Sequence, residues 1–336
     1  MSTTLGKVVL VTGGTAGLGA ELLRQIVASG PPSKILLFCR SEARGRRAAE
    51  AAKASHLVQL VHANLDSMAE VSAAAQQIMA ECAQIDFCFL NAACFASSGV
   101  MGQRVLTAEG LETMFACNHC APYLLIRMLA PRTLAPRARV IITGSDAAEF
   151  LAWKLDRASV QGELGVGFGG FTQYSHTKLM NAMFGAELQA RADDAERAGR
   201  GGGLDVAVCH PGAVMTELGN NVGPWLAWGI KTALAPLFRT PEMAMPLLLQ
   251  PAISARPLRG YFADGNVGTP TDLQPKPYKG AALSSDECKW LWDETERLIT
   301  EAIGGGSRGG LAAYGEGAAA APARRQARSP QRRRVR

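Results

Sequence analysis

The sequence predicts an α/β fold: a single doubly wound parallel sheet flanked by helices, followed by a disordered C-terminal tail. Three observations predict it. Short apolar runs alternate with helical stretches from residue 7 to residue 210. The runs are apolar throughout rather than at every second position, as strands buried on both faces must be. The first run ends in Thr12-Gly13-Gly14-Thr15-Ala16-Gly17-Leu18-Gly19 and passes directly into a helix. Strands alternating with helices imply crossover connections, and crossovers give parallel pairing.

The elements follow in order. Residues 8–11 read as a strand and 19–29 as a helix, 34–39 as a strand and 41–54 as a polar helix, 57–63 as a strand and 68–82 as a helix. Next come a strand at 86–91, a long helix at 110–129, a strand at 139–143, a helix at 174–191 and a strand at 204–210. Segment 149–172 is punctuated by glycine, and 197–203 is a polar glycine-rich turn; the rhythm resumes after each, so neither ends a domain. Residues 288–303 read as a closing helix with Gly304 as its stop. Beyond it Gly, Ala, Arg, Ser and Pro dominate without apolar periodicity, the composition of a disordered tail.

Composition narrows the function classes. The 336 residues, 48% of them hydrophobic, suffice for one large domain. The formal charge of +6 belongs to the tail: residues 304–336 carry eight Arg against Glu316, a net +7 that leaves the remainder at −1. A near-neutral body does not suit a domain that reads nucleic-acid phosphates. The eight Cys are scattered, which suggests a reducing compartment rather than a disulfide framework. Cys117 and Cys120 have C-x-x-C spacing without a second Cys/His pair, so they read as buried helical thiols rather than zinc ligands. No signal peptide and no run of ~20 apolar residues is visible, so a cytoplasmic location is expected. Residues 225–238 are apolar but broken by Lys231 and Pro236, and read as a surface or substrate-covering segment.

The chemistry-bearing residues sit at the ends of the expected strands. Glycines at a strand-to-helix turn let backbone approach a pyrophosphate, which a helix N-terminus attracts; Gly13, Thr15, Gly17, Leu18 and Gly19 form that turn. The second strand ends at Cys39-Arg40 with Arg44 close behind and no acid at the strand end. An acid there would bind the ribose 2′-hydroxyl of NAD, whereas Arg suits the 2′-phosphate of NADP, so NADP(H) is expected over NAD. The same arginines would also solvate the start of the next helix. Asn64-Leu65-Asp66 follows the third strand, where Asp66 can accept from an adenine amino group or cap the helix that follows. Asn91-Ala92-Ala93-Cys94 follows the fourth, a turn of small residues. Tyr174 and Lys178 stand four apart in Tyr174-Ser175-His176-Thr177-Lys178, on one helix face. A cation beside a phenol lowers the phenol's pKa, which matters where a proton must move. Ser145 lies upstream at the end of an apolar strand.

These motifs, with Asn118 and His210-Pro211-Gly212-Ala213-Val214-Met215-Thr216, resemble the short-chain dehydrogenases/reductases over about residues 6–300. The segment 118–125, the run from Tyr174 to Asn181 and the run from His210 to Leu218 are most similar to the retinol dehydrogenase and WW-domain oxidoreductase branch, with light-dependent protochlorophyllide reductases nearby. The late stretches Phe262-Ala263-Asp264 and Leu291-Trp292-Asp293 agree.

The resemblance implies a Rossmann-type domain over residues 1–303, with a substrate lid at about 217–245, and a basic tail at 304–336. It implies that Tyr174 is the proton donor and acceptor at the substrate oxygen. Lys178 would hold the nicotinamide ribose and lower the Tyr174 pKa, and Ser145 would orient the substrate oxygen. Asn118 would sit at a helix irregularity and hold a water. Pro211, Gly212, Val214 and Thr216 would bracket the nicotinamide, and Asn64, Leu65, Asn91, Ala92 and Ala93 would line the cofactor. The implied activity is NADP(H)-dependent interconversion of an alcohol and a carbonyl on a small lipophilic substrate. A C=C reductase like the protochlorophyllide enzymes and a non-catalytic NADP-binding sensor are the alternatives. A homodimer and peripheral membrane contact are compatible with the reading; no specific nucleic acid and no metal are expected. Cys94 departs from the family, which usually has Gly there, and would be strained if the position required φ > 0.

Overall fold

The computed structural model describes residues 4–95, 103–131, 133–145, 147–148, 155–158, 160–162, 169–212, 214, 239–263, 273–276 and 283–304. The tail from 305 on lies outside the described residues, as do 217–238 of the expected lid, Thr216 and Asp264.

The strands are β1 (Val8–Thr12), β2 (Lys34–Cys39), β3 (Val58–His62), β4 (Ile85–Leu90), β5 (Leu134–Thr143), β6 (Leu204–Cys209) and β7 (Gly260–Phe262). They form one sheet in the order β3-β2-β1-β4-β5-β6-β7, with every pair parallel. Between them run α1 (Gly17–Ala28), α2 (Glu42–Ala51) and α3 (Met68–Glu81). Helix α4, residues 113–129, consists of Thr113–Phe115, a π turn at Ala116–Cys120, and Ala121–Leu129. Further along are helices α5 (Gly170–Arg197), α6 (Pro241–Ile253) and α7 (Ser285–Ala302).

The apolar runs work as read, because both faces of the sheet are covered. Leu10, Leu36, Phe38, Cys88, Val140 and Val206 enter one core with α3, α4, α5 and α7; Val9, Val11, Leu37, Phe89, Ile141 and Ala207 enter another with α1 and α6. Each strand therefore sends successive side chains into opposite cores, and neither face tolerates a polar alternation.

The structure corrects several expectations. The 110–129 stretch starts helical at Thr113 and is interrupted: the Ala121 N–H reaches back five residues to the Ala116 carbonyl. Pro122 explains this, because it lacks an N–H and its ring crowds the carbonyl four residues back, that of Asn118. Helix α3 is capped by Ser67, whose Oγ accepts from the Glu70 N–H, and not by Asp66. Helix α6 and strand β7 were not expected; Pro246 and Pro251 inside α6 disguised its periodicity. Residues 241–245, assigned to the lid, are instead the first turns of α6, with Ala244 and Met245 in the core. The closing helix begins at Ser285, three residues earlier than read, with Ser284 as its cap.

Helix α5 carries the Tyr174/Lys178 pair and is held close to the sheet by Gly185, where a Cβ would lie 2.4 Å from Val208 Cγ2. Its far side is locked by α7. Trp292 packs edge-on against Tyr123 with centroids 4.8 Å apart, the Arg191 guanidinium stacks over Trp292, and His119 Nε2 meets Thr295 Oγ1 at 2.9 Å. Burial drives the His119 pKa down to about 3, so the ring is a neutral core group. We expect Gly185→Val to lower the unfolding free energy by about 1–3 kcal/mol through overpacking at Val208, measured by urea denaturation; an unchanged midpoint would show that α5 can lift without cost.

Candidate active site

The strand order reverses between β1 and β4, and at their carboxyl ends lies a cleft of about 790 Å³. Open sheets of this kind bind ligands at that place because the flanking helices diverge there. Gly13, Thr15, Gly17, Leu18 and Gly19 form one wall. Gly13 has φ +68, and a Cβ on it would sit 2.7 Å from the Ala92 Cα, so only glycine lets the two turns meet. Helix α1 begins with no side-chain cap and no acid in its first turn, leaving its N-terminal N–H groups directed at the cleft with their partial positive charge.

The remaining strand ends supply the floor. Arg40 and Arg44 line the cleft beyond β2, where Ser41 caps α2 by accepting from the Arg44 N–H. Asn64, Leu65 and Asp66 follow β3, and Asn91, Ala92 and Ala93 follow β4. The Asn91 and Ala92 N–H groups both donate to Thr12 Oγ1 at 3.1 Å, and Asn91 Nδ2 donates to the Gly13 carbonyl at 3.3 Å, which fixes the two turns to each other. Pro211, Gly212 and Val214 close the far end.

Asn118 does not line the cleft; it braces it from behind. Wholly buried in the π turn, its Oδ1 accepts from the Cys94 N–H at 2.7 Å and its Nδ2 donates to the Cys94 carbonyl at 3.0 Å. Nδ2 also donates to Thr177 Oγ1 at 3.2 Å, and Thr177 donates to the Tyr174 carbonyl at 2.7 Å. One amide thus joins the β4 turn, α4 and the turn of α5 that bears Tyr174. The irregularity expected at Asn118 is present, and its side chain is engaged with the Cys94 backbone. Cys94 itself is unstrained: among the described residues the non-glycine positive φ values belong to Lys53 and Arg137 alone.

Tyr174, Lys178 and Ser145 all line the cleft. Lys178 is 2% exposed; its Nζ donates to the Thr143 carbonyl at 3.0 Å and lies 5.6 Å from the Tyr174 ring centroid. Burial lowers its pKa to about 8, opposed by the Cys117 and Cys94 thiols nearby. Ser145 Oγ accepts from the Ala147 N–H at 3.2 Å, which leaves its O–H to donate toward the cleft. The N-terminal end of α5 is fixed by Gln173, whose Nε2 donates to Glu112 Oε2 at 3.1 Å, while the Glu112 carboxylate caps α4 through the Met114 and Phe115 N–H groups.

Sequence reading missed some of the lining. Phe95 and Phe171 flank Tyr174, with centroids 6.0 and 6.3 Å from its ring and 6.3 Å from each other. Their signal was weak, since a lone aromatic in a loop or before a helix is ordinary. Cys94, Cys117, Thr113, Thr143 and His210 also face the cleft. Cys117 was paired in sequence with Cys120, yet Cys120 is buried and Cys117 faces the cleft. Thr216 lies outside the described residues.

The chain is similar to several known proteins. A family model described as short chain dehydrogenase matches residues 7–154. Human retinol dehydrogenase 13 is 27% identical over 308 residues, covering 89% of this chain and 86% of its own length. Mouse retinol dehydrogenase 12 is 26% identical over 265 residues, with 77% and 78% covered. Among solved structures, an uncharacterized protein from Mycobacterium paratuberculosis superposes with TM-score 0.63 at 20% identity, covering 89% of this chain and 96% of that one. The Pseudomonas aeruginosa RhlG/NADP active-site complex superposes with TM-score 0.57 at 21% identity, covering 77% and 94%.

The buried Lys178 makes stability depend on pH. Its folded pKa lies below the unfolded value of about 10.4, so the folded state bears the cost of the buried ammonium below pH 8 and is relieved of it as pH rises toward 10. Lys178→Met is therefore expected to be more stable than wild type at pH 7, by up to about 3 kcal/mol, with the difference shrinking by pH 10 in urea unfolding. A difference independent of pH would contradict the depressed pKa.

Proposed function

This chain belongs to the short-chain dehydrogenase/reductase family, close to the retinol dehydrogenase branch, and on that premise we propose that it is an NADP(H)-dependent oxidoreductase interconverting an alcohol and a carbonyl on a lipophilic substrate. The observation that carries the reading is that Tyr174, Lys178 and Ser145 line the same cleft as the glycine turn.

The residues present fit a nicotinamide dinucleotide. A Cβ would fill the cradle at Gly13, and the uncapped start of α1 suits a pyrophosphate. Arg40 and Arg44 stand where a 2′-phosphate is distinguished from a 2′-hydroxyl, and neither is opposed by an acid at the strand end. The NADP complex of the Pseudomonas protein is in line with this choice.

When bound, the nicotinamide supplies or accepts the hydride. The chain's own part is position and proton transfer. Tyr174 Oη gives a proton to the substrate oxygen in reduction and removes it in oxidation. Ser145 donates to the same oxygen, so developing negative charge meets two donors in a partly desolvated site. With one Nζ proton on the Thr143 carbonyl, Lys178 keeps two donors for the ribose hydroxyls. Phe95 and Phe171 give the cleft an apolar wall beside Tyr174, which favours a lipophilic substrate.

Two experiments test the reading. With NADPH and a panel of retinal, steroid ketone, aliphatic aldehyde and quinone, Tyr174→Phe is expected to lower kcat by about 10²–10⁴-fold with NADPH affinity held within a few fold; loss of affinity alone would assign Tyr174 a structural part. In the double variant Arg40→Ala, Arg44→Ala, the preference for NADPH over NADH measured by fluorescence titration is expected to fall roughly 10–100-fold, as for lost charge-assisted hydrogen bonds. An unchanged ratio would remove the two arginines from cofactor selection.

A further inference from the structure

Of the eight cysteines, six are buried; the two that are partly exposed, Cys94 and Cys117, open into the same cleft. They come from different segments, the turn after β4 and the π turn of α4. The Asn118 amide fixes that separation by bonding both the N–H and the carbonyl of Cys94. Cys94 Sγ points at the α4 backbone, 3.7 Å from the Thr113 carbonyl, one turn before Cys117. The two thiols bear on each other's ionisation, the Cys94 thiol being pushed up and the Cys117 thiol down. Among the described residues no further His, Cys, Asp or Glu joins them in a group able to hold a metal.

We propose that Cys94 and Cys117 are a redox-modification site: a thiol pair in the floor of the cleft that hydrogen peroxide or an organic hydroperoxide oxidises to an intramolecular disulfide, impairing the cleft for its cofactor. The electronic environment suits Cys117 as the attacking sulfur. The neighbouring Cys94 thiol lowers its pKa, aided by the charges of Arg40 and Lys178 and opposed by burial and Asp66, while the Cys94 thiol is pushed up. The step balances. Cys117 sulfur attacks one peroxide oxygen, the O–O bond breaks, and a sulfenic acid and one water (an alcohol, for an organic hydroperoxide) are left. Cys94 sulfur then displaces hydroxide from that sulfur, the S–S bond forms, and the Cys94 proton leaves with the hydroxide as water. Two S–H groups and one peroxide become one disulfide and two waters; the sulfurs lose two electrons and the peroxide gains them.

A disulfide needs its sulfurs about 2 Å apart and its Cβ atoms about 3.8 Å apart. The turn at 91–95 must then shift against α4, and with it the small residues Ala92 and Ala93 and the Gly13 contact at Ala92. A bound dinucleotide would cover the pair and protect it. That protection, and the loss of cofactor binding, rest on the NADP reading; the disulfide itself does not.

Apo protein treated with hydrogen peroxide, digested without reductant and analysed by mass spectrometry is expected to give a linked peptide pair containing Cys94 and Cys117. NADPH affinity by fluorescence titration is expected to fall roughly tenfold or more as the turn is displaced, to return with dithiothreitol, and to be spared when NADPH is added first. Cys94→Ser and Cys117→Ser, each compared with its own untreated sample, are expected to lose the peroxide response. If wild type yields sulfinic or sulfonic acid at these positions without the linked pair, or if the peroxide response persists in both variants, the proposal fails. If the linked pair forms while untreated wild type does not bind NADPH, the NADP reading fails and the redox site stands.

Discussion

The carboxamide of Asn118 is the constraint on which the site depends. It is wholly buried, makes three hydrogen bonds, and joins the turn after β4 to α4 and, through Thr177, to the carbonyl of Tyr174. A buried amide must have its donors and acceptor satisfied, and the loss of one partner leaves another group desolvated and unpaired. The three segments therefore hold or shift together. The π turn that aims Asn118 follows from Pro122, which denies the helix one N–H and crowds the Asn118 carbonyl.

Around this brace the fold supplies two rigid supports. Thr12, Asn91 and Gly13 tie the carboxyl ends of β1 and β4, and the close approach at Gly185 presses α5 onto β6. Lys178 then reaches the end of β5, where the Thr143 carbonyl accepts from it. Its ammonium is buried at a cost in pKa. Under the proposed function, charge developing on a substrate oxygen would meet the phenol and the hydroxyl as fixed donors there.

Much of this was legible in the chain. The strands were readable because burial on both faces demands apolar runs, and the glycine turn because its spacing follows the first of them. Tyr174, Lys178, Ser145 and the strand-end residues line one cleft. The helix α6 was illegible because Pro246 and Pro251 interrupt its pattern although its apolar residues pack against α1. Ser67 rather than Asp66 caps α3, a choice between neighbours that sequence does not make.

The sequence by itself determined the parallel sheet, the glycine turn and the identity of the groups at its strand ends, because each rests on local pattern: apolar periodicity, absence of Cβ, and spacing along one helix. Only the tertiary structure decided which distant residues meet. It set the Asn118 amide on the Cys94 backbone, the Cys117 thiol in the same cleft as Cys94 while Cys120 is buried, and Phe95 and Phe171 beside Tyr174. Those contacts join segments tens of residues apart, and their distances follow from how the helices pack on the sheet, which no local pattern encodes.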